Sequence, residues 1–335
     1  NRAIPVFPTD RFLSILPLSH IFERTAGCYT AVAQGAAIFF GEDVKSIPDD
    51  LMFAKPTILL GVPRIFEKAY NEIQSKPSFH RAKKIPGGKF LISRAIKKRF
   101  GGAIRFCISG GAPLHPSLGI FFNTYGLRIL EGYGLTETSP VVSCNRFEKY
   151  KFGSCGLLLD NVSVRISPDG ELLVKGPSIM SGYHNTDDRP FTSDGYFKTG
   201  DIARMDEDGF IFITGRKKNI LILSTGKNVQ PEEIETALDA SPFIAQSCVI
   251  GEGRKMATAL IVPEKGIIDD GEGYKKMRIE INRCLAHFPE HEHIKNFTLL
   301  KSPFSIEKDE LTPTLKIKRT VIEDHYRKEI EEMYQ

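Results

Sequence analysis

The sequence is short of every feature that would assign it to a special class at once. No apolar run reaches the roughly 18–20 residues of a membrane span. The six cysteines, at positions 28, 107, 144, 155, 248 and 284, are scattered without a CxxC pair. Structural zinc demands tighter ligand spacing, so they read as reduced, mostly buried thiols in a reducing compartment. Neither charge sign dominates: 45 lysines and arginines face 41 aspartates and glutamates, a net +4. That balance argues for neither nucleic acid nor a strongly basic membrane surface. There is no internal repeat and no low-complexity segment. The opening Asn1-Arg2-Ala3-Ile4-Pro5 has neither a Met nor the pattern of a signal peptide. What is present is ordinary: 335 residues, 41% hydrophobic and 26% charged, the composition of a soluble protein with room for two domains.

The apolar pattern predicts strands over 12–18 (ended by Pro17), 37–40, 57–60 and 104–108. Helices are expected over 24–34, 49–54, 63–74 and 116–125. This alternation implies a parallel sheet with helices on its faces. Residues 75–102 are basic, contain two glycine pairs and show no clear core face, so a solvated, mobile connection is expected there. From 162 the texture changes to hairpins: 162–166 with 171–175 around Ser167-Pro168-Asp169-Gly170, and 202–205 with 210–213 around 206–209. The last third predicts helices over 231–238, 274–288 and 319–334, with strands over 244–251, 257–262 and 298–300. The expected organisation is therefore a large α/β part (1–160), a β-rich subdomain (161–216) and a small, mobile α+β domain (217–335).

The densest chemistry lies in Glu131-Gly132-Tyr133-Gly134-Leu135-Thr136-Glu137-Thr138, behind the apolar stretch 127–130. Read as a loop, it offers Tyr133 for stacking on a flat ring and Thr136 for a phosphate. Glu137 could hold a hard cation, because magnesium prefers carboxylate and phosphate oxygens. Upstream, Ser109-Gly110-Gly111-Ala112-Pro113 joins a strand to a helix, where open α/β sheets bind their ligands. Without side chains, Gly110 and Gly111 let backbone approach a base closely. A plain turn and a core tyrosine are the alternatives.

The 131–138 stretch resembles the GYGLTE motif of the adenylate-forming enzymes, the acyl-CoA synthetases and their relatives. Further motifs follow in that family's order. The resemblance implies an adenine-contacting turn at Gly110, Gly111, Ala112 and Pro113. It implies nucleotide contacts from Glu131, Gly132, Tyr133, Gly134 and Thr136, and a Mg²⁺ site at Glu137. Lys198-Thr199-Gly200-Asp201 resembles the TGD motif, in which Asp201 accepts from both ribose hydroxyls; a turn aspartate is the alternative. The long stretch from Gly215 to Glu235 resembles the linking motif. There Arg216 contacts the ribose, Lys218 is the hinge, and Gly226 lies on the face brought to CoA. Leu311-Thr312-Pro313-Thr314-Leu315-Lys316 resembles the C-terminal lysine motif, with Lys316 bridging the carboxylate and the α-phosphate. The family usually has Gly where this chain has Leu315, a departure shared with its long-chain branch. If Lys316 were merely solvated, Lys318 or Arg319 would carry that role. Leu16-Pro17-Leu18-Ser19-His20-Ile21-Phe22-Glu23-Arg24 resembles the gate motif of long-chain acyl-CoA synthetases, with His20 lining the acyl site; a structural histidine is the alternative.

The family's phosphate loop, rich in Gly, Ser and Thr, has no counterpart in residues 1–15. The stretches 74–101 and 266–274 are also shorter than the long-chain branch implies. The resemblance covers essentially the whole chain but about three-fifths of the family's length. Either the chain is a fragment or segments have been left out of it. The function implied is AMP-forming ligation of a long-chain fatty acid, through an acyl-adenylate, to CoA, with ATP, CoA and Mg²⁺ required. The partners are those small molecules, with no nucleic acid. A cytoplasmic location follows, and peripheral membrane contact is compatible with it. Two alternatives stay open: a ligase acylating a carrier protein, and an inactive nucleotide-binding fragment.

Overall fold

The computed structural model describes residues 3–42, 46–185, 189–264, 266, 272–312 and 315–335. The chain divides into two compact units: residues 1–199 with 203–213, and residues 200–202 with 214–335.

The first unit is built on a seven-stranded sheet. Its elements run β1 (Arg11–Ser14), a π-helical segment (Glu23–Tyr29) continuing into α1 (Thr30–Ala33), β2 (Ala37–Phe40), α2 (Ile47–Ala54) and β3 (Ile58–Gly61). Then come α3 (Pro63–Gln74), α4 (Pro77–Ala82), α5 (Gly88–Arg99), β4 (Phe106–Ser109) and α6 (Pro116–Thr124). The sheet closes with β5 (Arg128–Gly134), β6 (Val141–Cys144) and β7 (Leu157–Leu158), in the order β2-β1-β3-β4-β5-β6-β7. Strands β1 to β5 pair in parallel, and β6 and β7 add antiparallel. Several helices open on a proline, among them α3 at Pro63 and α6 at Pro116; proline's fixed φ suits the first turn, where its missing N–H costs nothing.

Period-two alternation sorts the core onto two faces. Leu13, Leu59, Cys107 and Ile129 pack on one side, with Phe66, Ile96 and Phe122 from α3, α5 and α6. Phe12, Ile58, Leu60, Phe106 and Leu130 pack on the other, against Ala31 and Val6. Both faces are covered, as a parallel sheet requires.

The chain continues through β8 (Ser163–Ile166), β9 (Glu171–Lys175), β10 (Phe197–Met205) and β11 (Ile211–Arg216), a sheet ordered β11-β10-β9-β8. The expected 163–175 hairpin is antiparallel with Ser163 opposite Lys175. The second unit holds a small hairpin, β12 (Leu221–Ile222) with β13 (Asn228–Val229), followed by α7 (Pro231–Asp239). A three-stranded sheet follows from β14 (Ile244–Ile250), β15 (Thr258–Pro263) and β16 (Asn296–Leu299), with α8 (Gly273–Cys284), α9 (Arg319–His325) and α10 (Arg327–Glu332). Ile244, Val249, Ala259 and Ile261 face α7 and α8, while Cys248, Ile250, Leu260 and Val262 face α9 and α10.

Four expectations need correction. Residues 75–102 form α4 and α5, not an unstructured connection. Their core contacts are sparse but helical in spacing: Ile92, Ile96 and Phe100 recur every fourth residue and are buried, as is Phe79. The first strand ends at Ser14, well before Pro17, and the helix after it starts as a π-helix. Glu131 to Gly134 belong to β5, so the motif is a strand end and a single 3₁₀ turn rather than one loop. The last helix is broken at Tyr326 into α9 and α10. Most of the 266–274 stretch, residues 267–271, lies outside the described residues, as do Lys265, Pro313 and Thr314. Among the described residues no helix is long and apolar enough to cross a membrane.

Candidate active site

In the first unit three of the singled-out segments follow the carboxyl ends of parallel strands: 15–24 after β1, 110–113 after β4, and 132–137 at the end of β5. That is the edge of an open α/β sheet where ligands bind. The segments touch. A Cβ at Gly110 would stand 3.0 Å from the Phe22 ring, so the glycine lets the His20 segment lie against the turn. Gly111 has φ +85°, a conformation only glycine takes without strain. Beside them Ser109 is buried, its hydroxyl without a hydrogen-bond partner among the described residues.

His20 is half-buried, and its Nδ1 accepts from the Phe22 amide at 3.4 Å. Glu23, three residues on, is 1% exposed. Burial pushes its carboxyl up to about 7, against hydrogen bonds from the Ser14 hydroxyl and the Leu16 backbone. A Cβ at Gly27 would sit 2.4 Å from Glu23 Oε1, so this carboxyl occupies space that a glycine leaves open. Glu23 thereby ties the π-helix to the end of β1 on which the His20 segment hangs. Only its place beside His20 in the gate-like motif could have flagged it in the sequence.

The residues of the 131–138 stretch divide by environment. Glu131 is buried, and burial raises its carboxyl to about 8 even though backbone N–H groups of Gly153 and Leu114 donate to it. Its side chain thus joins two loops. Gly134 has no room for a side chain, since a Cβ would fall 1.7 Å from the Pro140 carbonyl. Gly132 has room: a Cβ there would make only ordinary contacts of 3.5 Å. Tyr133 is half-buried and packs on the cluster of Val142, Leu172 and Ile211. Thr136 is exposed. The Thr138 hydroxyl accepts from the Leu135 amide at 2.8 Å and donates to the Pro140 carbonyl, closing the turn. Glu137 accepts a hydrogen bond from the Tyr183 hydroxyl at 3.0 Å. Tyr183, 46 residues away in sequence, carried no signal that would have found it.

Among the described residues no group of three or more His, Cys, Asp or Glu could hold a metal ion. Glu137 with the adjacent Thr136 hydroxyl still fits magnesium, which binds through one or two carboxylates when substrate phosphates fill its other positions.

In the second unit Asp201 is 3% exposed and pairs with Arg216, Oδ1 to Nε, at 2.9 Å. Lys316 lies close enough to feel both. Crowding by surrounding protein, then the Arg216 guanidinium, hold its ammonium below the usual lysine range against the pull of Asp201. The turn presenting it is tight: Thr312 N–H donates to the Lys316 carbonyl at 2.8 Å, and Lys316 N–H to the Thr312 hydroxyl at 3.0 Å. Leu315 at φ +62° completes it. This is a left-handed conformation that glycine takes freely, which explains physically why Gly suits this position. The rival cations are committed elsewhere. Lys318 pairs with Asp309, and Arg319 is held by Glu235 at 2.8 Å and by the Val249 carbonyl. Lys316 has no ion-pair partner among the described residues. Lys218 is exposed in a 3₁₀ turn after β11, and Gly226 is exposed in the β12–β13 turn. Ala112 and Pro113 are exposed beyond Gly111.

This fold and these strand-end segments define an α/β protein with a ligand-binding type of sheet edge, together with a small second unit. Family comparison makes the class specific: residues 1–184 match the AMP-binding enzyme family and residues 218–335 the AMP-binding enzyme C-terminal domain. The chain belongs to the AMP-binding enzyme family. It is 34% identical over 381 aligned positions to the long-chain-fatty-acid–CoA ligase FadD15 of Mycobacterium bovis, covering 97% of this chain and 62% of that protein. It is 30% identical to the peroxisomal long chain acyl-CoA synthetase 7 of Arabidopsis thaliana, covering 98% of this chain and 55% of that one. Among solved structures it resembles the A domain of carboxylic acid reductase from Segniliparus rugosus in complex with AMP and a co-purified carboxylic acid. The TM-score is 0.83 at 26% identity, over 97% of this chain and 54% of that one. The chain thus spans about three-fifths of the length of the curated relatives it matches.

Proposed function

We propose that this chain is the catalytic portion of an AMP-forming long-chain fatty acid–CoA ligase. A carboxylate oxygen of the fatty acid attacks the α-phosphorus of ATP, the α–β phosphoanhydride bond breaks, and pyrophosphate leaves. The CoA thiol then gives its proton to water and its sulfur attacks the acyl carbonyl carbon. The acyl–phosphate bond breaks and AMP leaves. Magnesium bound at the phosphates would offset their negative charge. In this reading Gly110 to Pro113 and Tyr133 receive the adenine, Thr136 the α-phosphate, Glu137 the metal, and Asp201 and Arg216 the ribose. Lys316 neutralises the charge that develops as the carboxylate attacks. His20 borders the acyl chain. The small domain, 217–335, turns about Lys218 between the two steps and brings the Gly226 face to CoA; separate surfaces for two half-reactions account for motifs on both sides of a hinge.

One observation carries the assignment. In the 311–319 stretch Lys318 and Arg319 are tied into ion pairs, while Lys316, near Asp201 and Arg216, has no ion-pair partner among the described residues. The homology to long-chain ligases supports the fatty acid and CoA as substrates, and the substrate's partition into bilayers favours peripheral membrane contact. The test is turnover by the full-length protein with palmitate, ATP, Mg²⁺ and CoA. AMP and palmitoyl-CoA in equal amounts are expected. Release of ADP instead of AMP, or acyl transfer to a phosphopantetheine carrier protein but not to free CoA, would overturn the proposal.

A further inference from the structure

Residues 75–102 contain nine lysines and arginines and no aspartate or glutamate. Taking nine from the chain's 45 basic residues leaves 36 against 41 acidic ones. The bulk charge of +4 therefore conceals one cationic segment on an otherwise net acidic chain. α4 and α5 hold this segment on the first unit, anchored by Phe79, Ile92 and Ile96 in the core. Successive helical residues turn by about 100°, so Phe90, Arg94, Lys97 and Lys98 point away from Ile92 and Ile96. All four are exposed. Phe90 is 69% exposed, and Ile85 and Leu91 beside it are each 51% exposed. Among the described residues, Arg99 alone of the nine cations is ion-paired, with Glu72 at 2.5 Å.

Such a face is costly in water: its cations repel one another at helical spacing, and three apolar side chains stay hydrated. An anionic bilayer relieves both. Apolar side chains enter the headgroup boundary while lysine and arginine stems reach the lipid phosphates, the arrangement of interfacial amphipathic helices. Nucleic acid would satisfy the cations but leave Ile85 and Leu91 without a partner. We propose that the α4–α5 face docks this protein on an anionic phospholipid surface, with Ile85, Phe90 and Leu91 inserted and Arg94, Lys97 and Lys98 on the headgroups. This deepens the peripheral contact suggested above without depending on the ligase chemistry, because vesicle binding requires no turnover.

The experiment is co-sedimentation of the full-length protein with vesicles of phosphatidylcholine alone or mixed with phosphatidylglycerol, over a salt series. Binding is expected to the mixed vesicles, to fall as salt rises, and to drop about tenfold or more when Arg94, Lys97 and Lys98 are all changed to Glu. Phe90→Ser with Leu91→Ser should weaken it several-fold while salt dependence remains. Both variants should melt like the parent and activate a short, water-soluble fatty acid at the parent rate. Equal binding to both vesicle types overturns the proposal, as does indifference to the charge reversal. Preferential retention of the parent on RNA or on an acidic protein, with no vesicle binding, overturns it too.

Discussion

Asp201 and Arg216 meet at 2.9 Å, Oδ1 to Nε, with the aspartate almost fully buried at the point where β10 passes through Gly200. In the function proposed above the buried Asp201 carboxylate accepts from the two hydroxyls of a ribose, and hydrogen bonds to a charged acceptor are worth about 1.5–3 kcal/mol each. Asp201→Asn should therefore lower kcat/KM for ATP by roughly 10- to 100-fold, since about 1.4 kcal/mol is tenfold. ATP titration of the variant checks this. A lowered melting temperature with unchanged kcat/KM for ATP would reduce the pair to a structural tie.

Among the described residues Lys316 differs from Lys318 and Arg319 in having no ion-pair partner. Lys316→Ala should slow adenylate formation, read by ATP–pyrophosphate exchange, by about 100-fold or more, the scale of losing one preorganised charge at a transition state. Thioester formation from supplied acyl-adenylate should stay within a few-fold of the parent. Arg319→Ala should behave differently, because Arg319 is buried against Glu235. It should cost stability by about 3–5 kcal/mol through the unpaired carboxylate it leaves. Equal damage to both half-reactions in Lys316→Ala would remove the lysine from the first step.

Much of this fold could be read from the chain because its parallel strands are buried on both faces and its hairpins carry turn residues. Pro63 at a helix start and Ser167-Pro168-Asp169-Gly170 between β8 and β9 are local signals that tertiary packing did not override. The 75–102 stretch hides its helices from a sequence reading for a physical reason. Its helices bury so few residues that nine cations dominate the pattern, and Ile92 with Ile96 is a thin stripe. The strand through Glu131-Gly132-Tyr133-Gly134 was read as a loop because glycines signal turns, whereas here Gly134 admits a close pass of the Pro140 carbonyl. The candidate-site motifs stand out in the sequence because their residue types and their order are chemical. Tyr183 does not, since a distant hydroxyl acts only through the fold, and Glu23 has only its place beside His20 to mark it.

Leu315 holds a conformation that favours glycine. For an L-residue the left-handed region costs roughly 1–2 kcal/mol, and Leu315 offsets part of that by packing on the cluster with Leu311 and Ile322. Leu315→Ala keeps the strain and loses the contacts. Leu315→Gly loses the contacts but relieves the strain, less about 0.5–1 kcal/mol for glycine's extra unfolded freedom. Glycine should thus be more stable than alanine at this position by about 0.5–1 kcal/mol, the reverse of the order at negative φ. Denaturant melts of the two variants decide it, and alanine ranking above glycine would mean the turn relaxes out of the left-handed region.

Glu131 should leave a signature in the pH dependence of stability. Burial raises its carboxyl from the ordinary range to about 8 in the folded protein. In the unfolded chain it titrates near the usual glutamate value of about 4.3. Between those two values the folded state holds a proton that the unfolded state has given up, so raising the pH favours unfolding. The contribution is fully present below pH ~4.3 and is lost progressively up to about pH 8, on the order of 3 kcal/mol by neutrality. Glutamine keeps the shape and stays uncharged, so Glu131→Gln should melt higher than the parent at pH 7.5. It should also show a flatter stability profile between pH 5 and 8, while the two proteins converge near pH 4.5. Denaturant midpoints measured at intervals across that range are the check. Parallel profiles for the two proteins would mean that the Gly153 and Leu114 amides keep the carboxylate ionised in the fold.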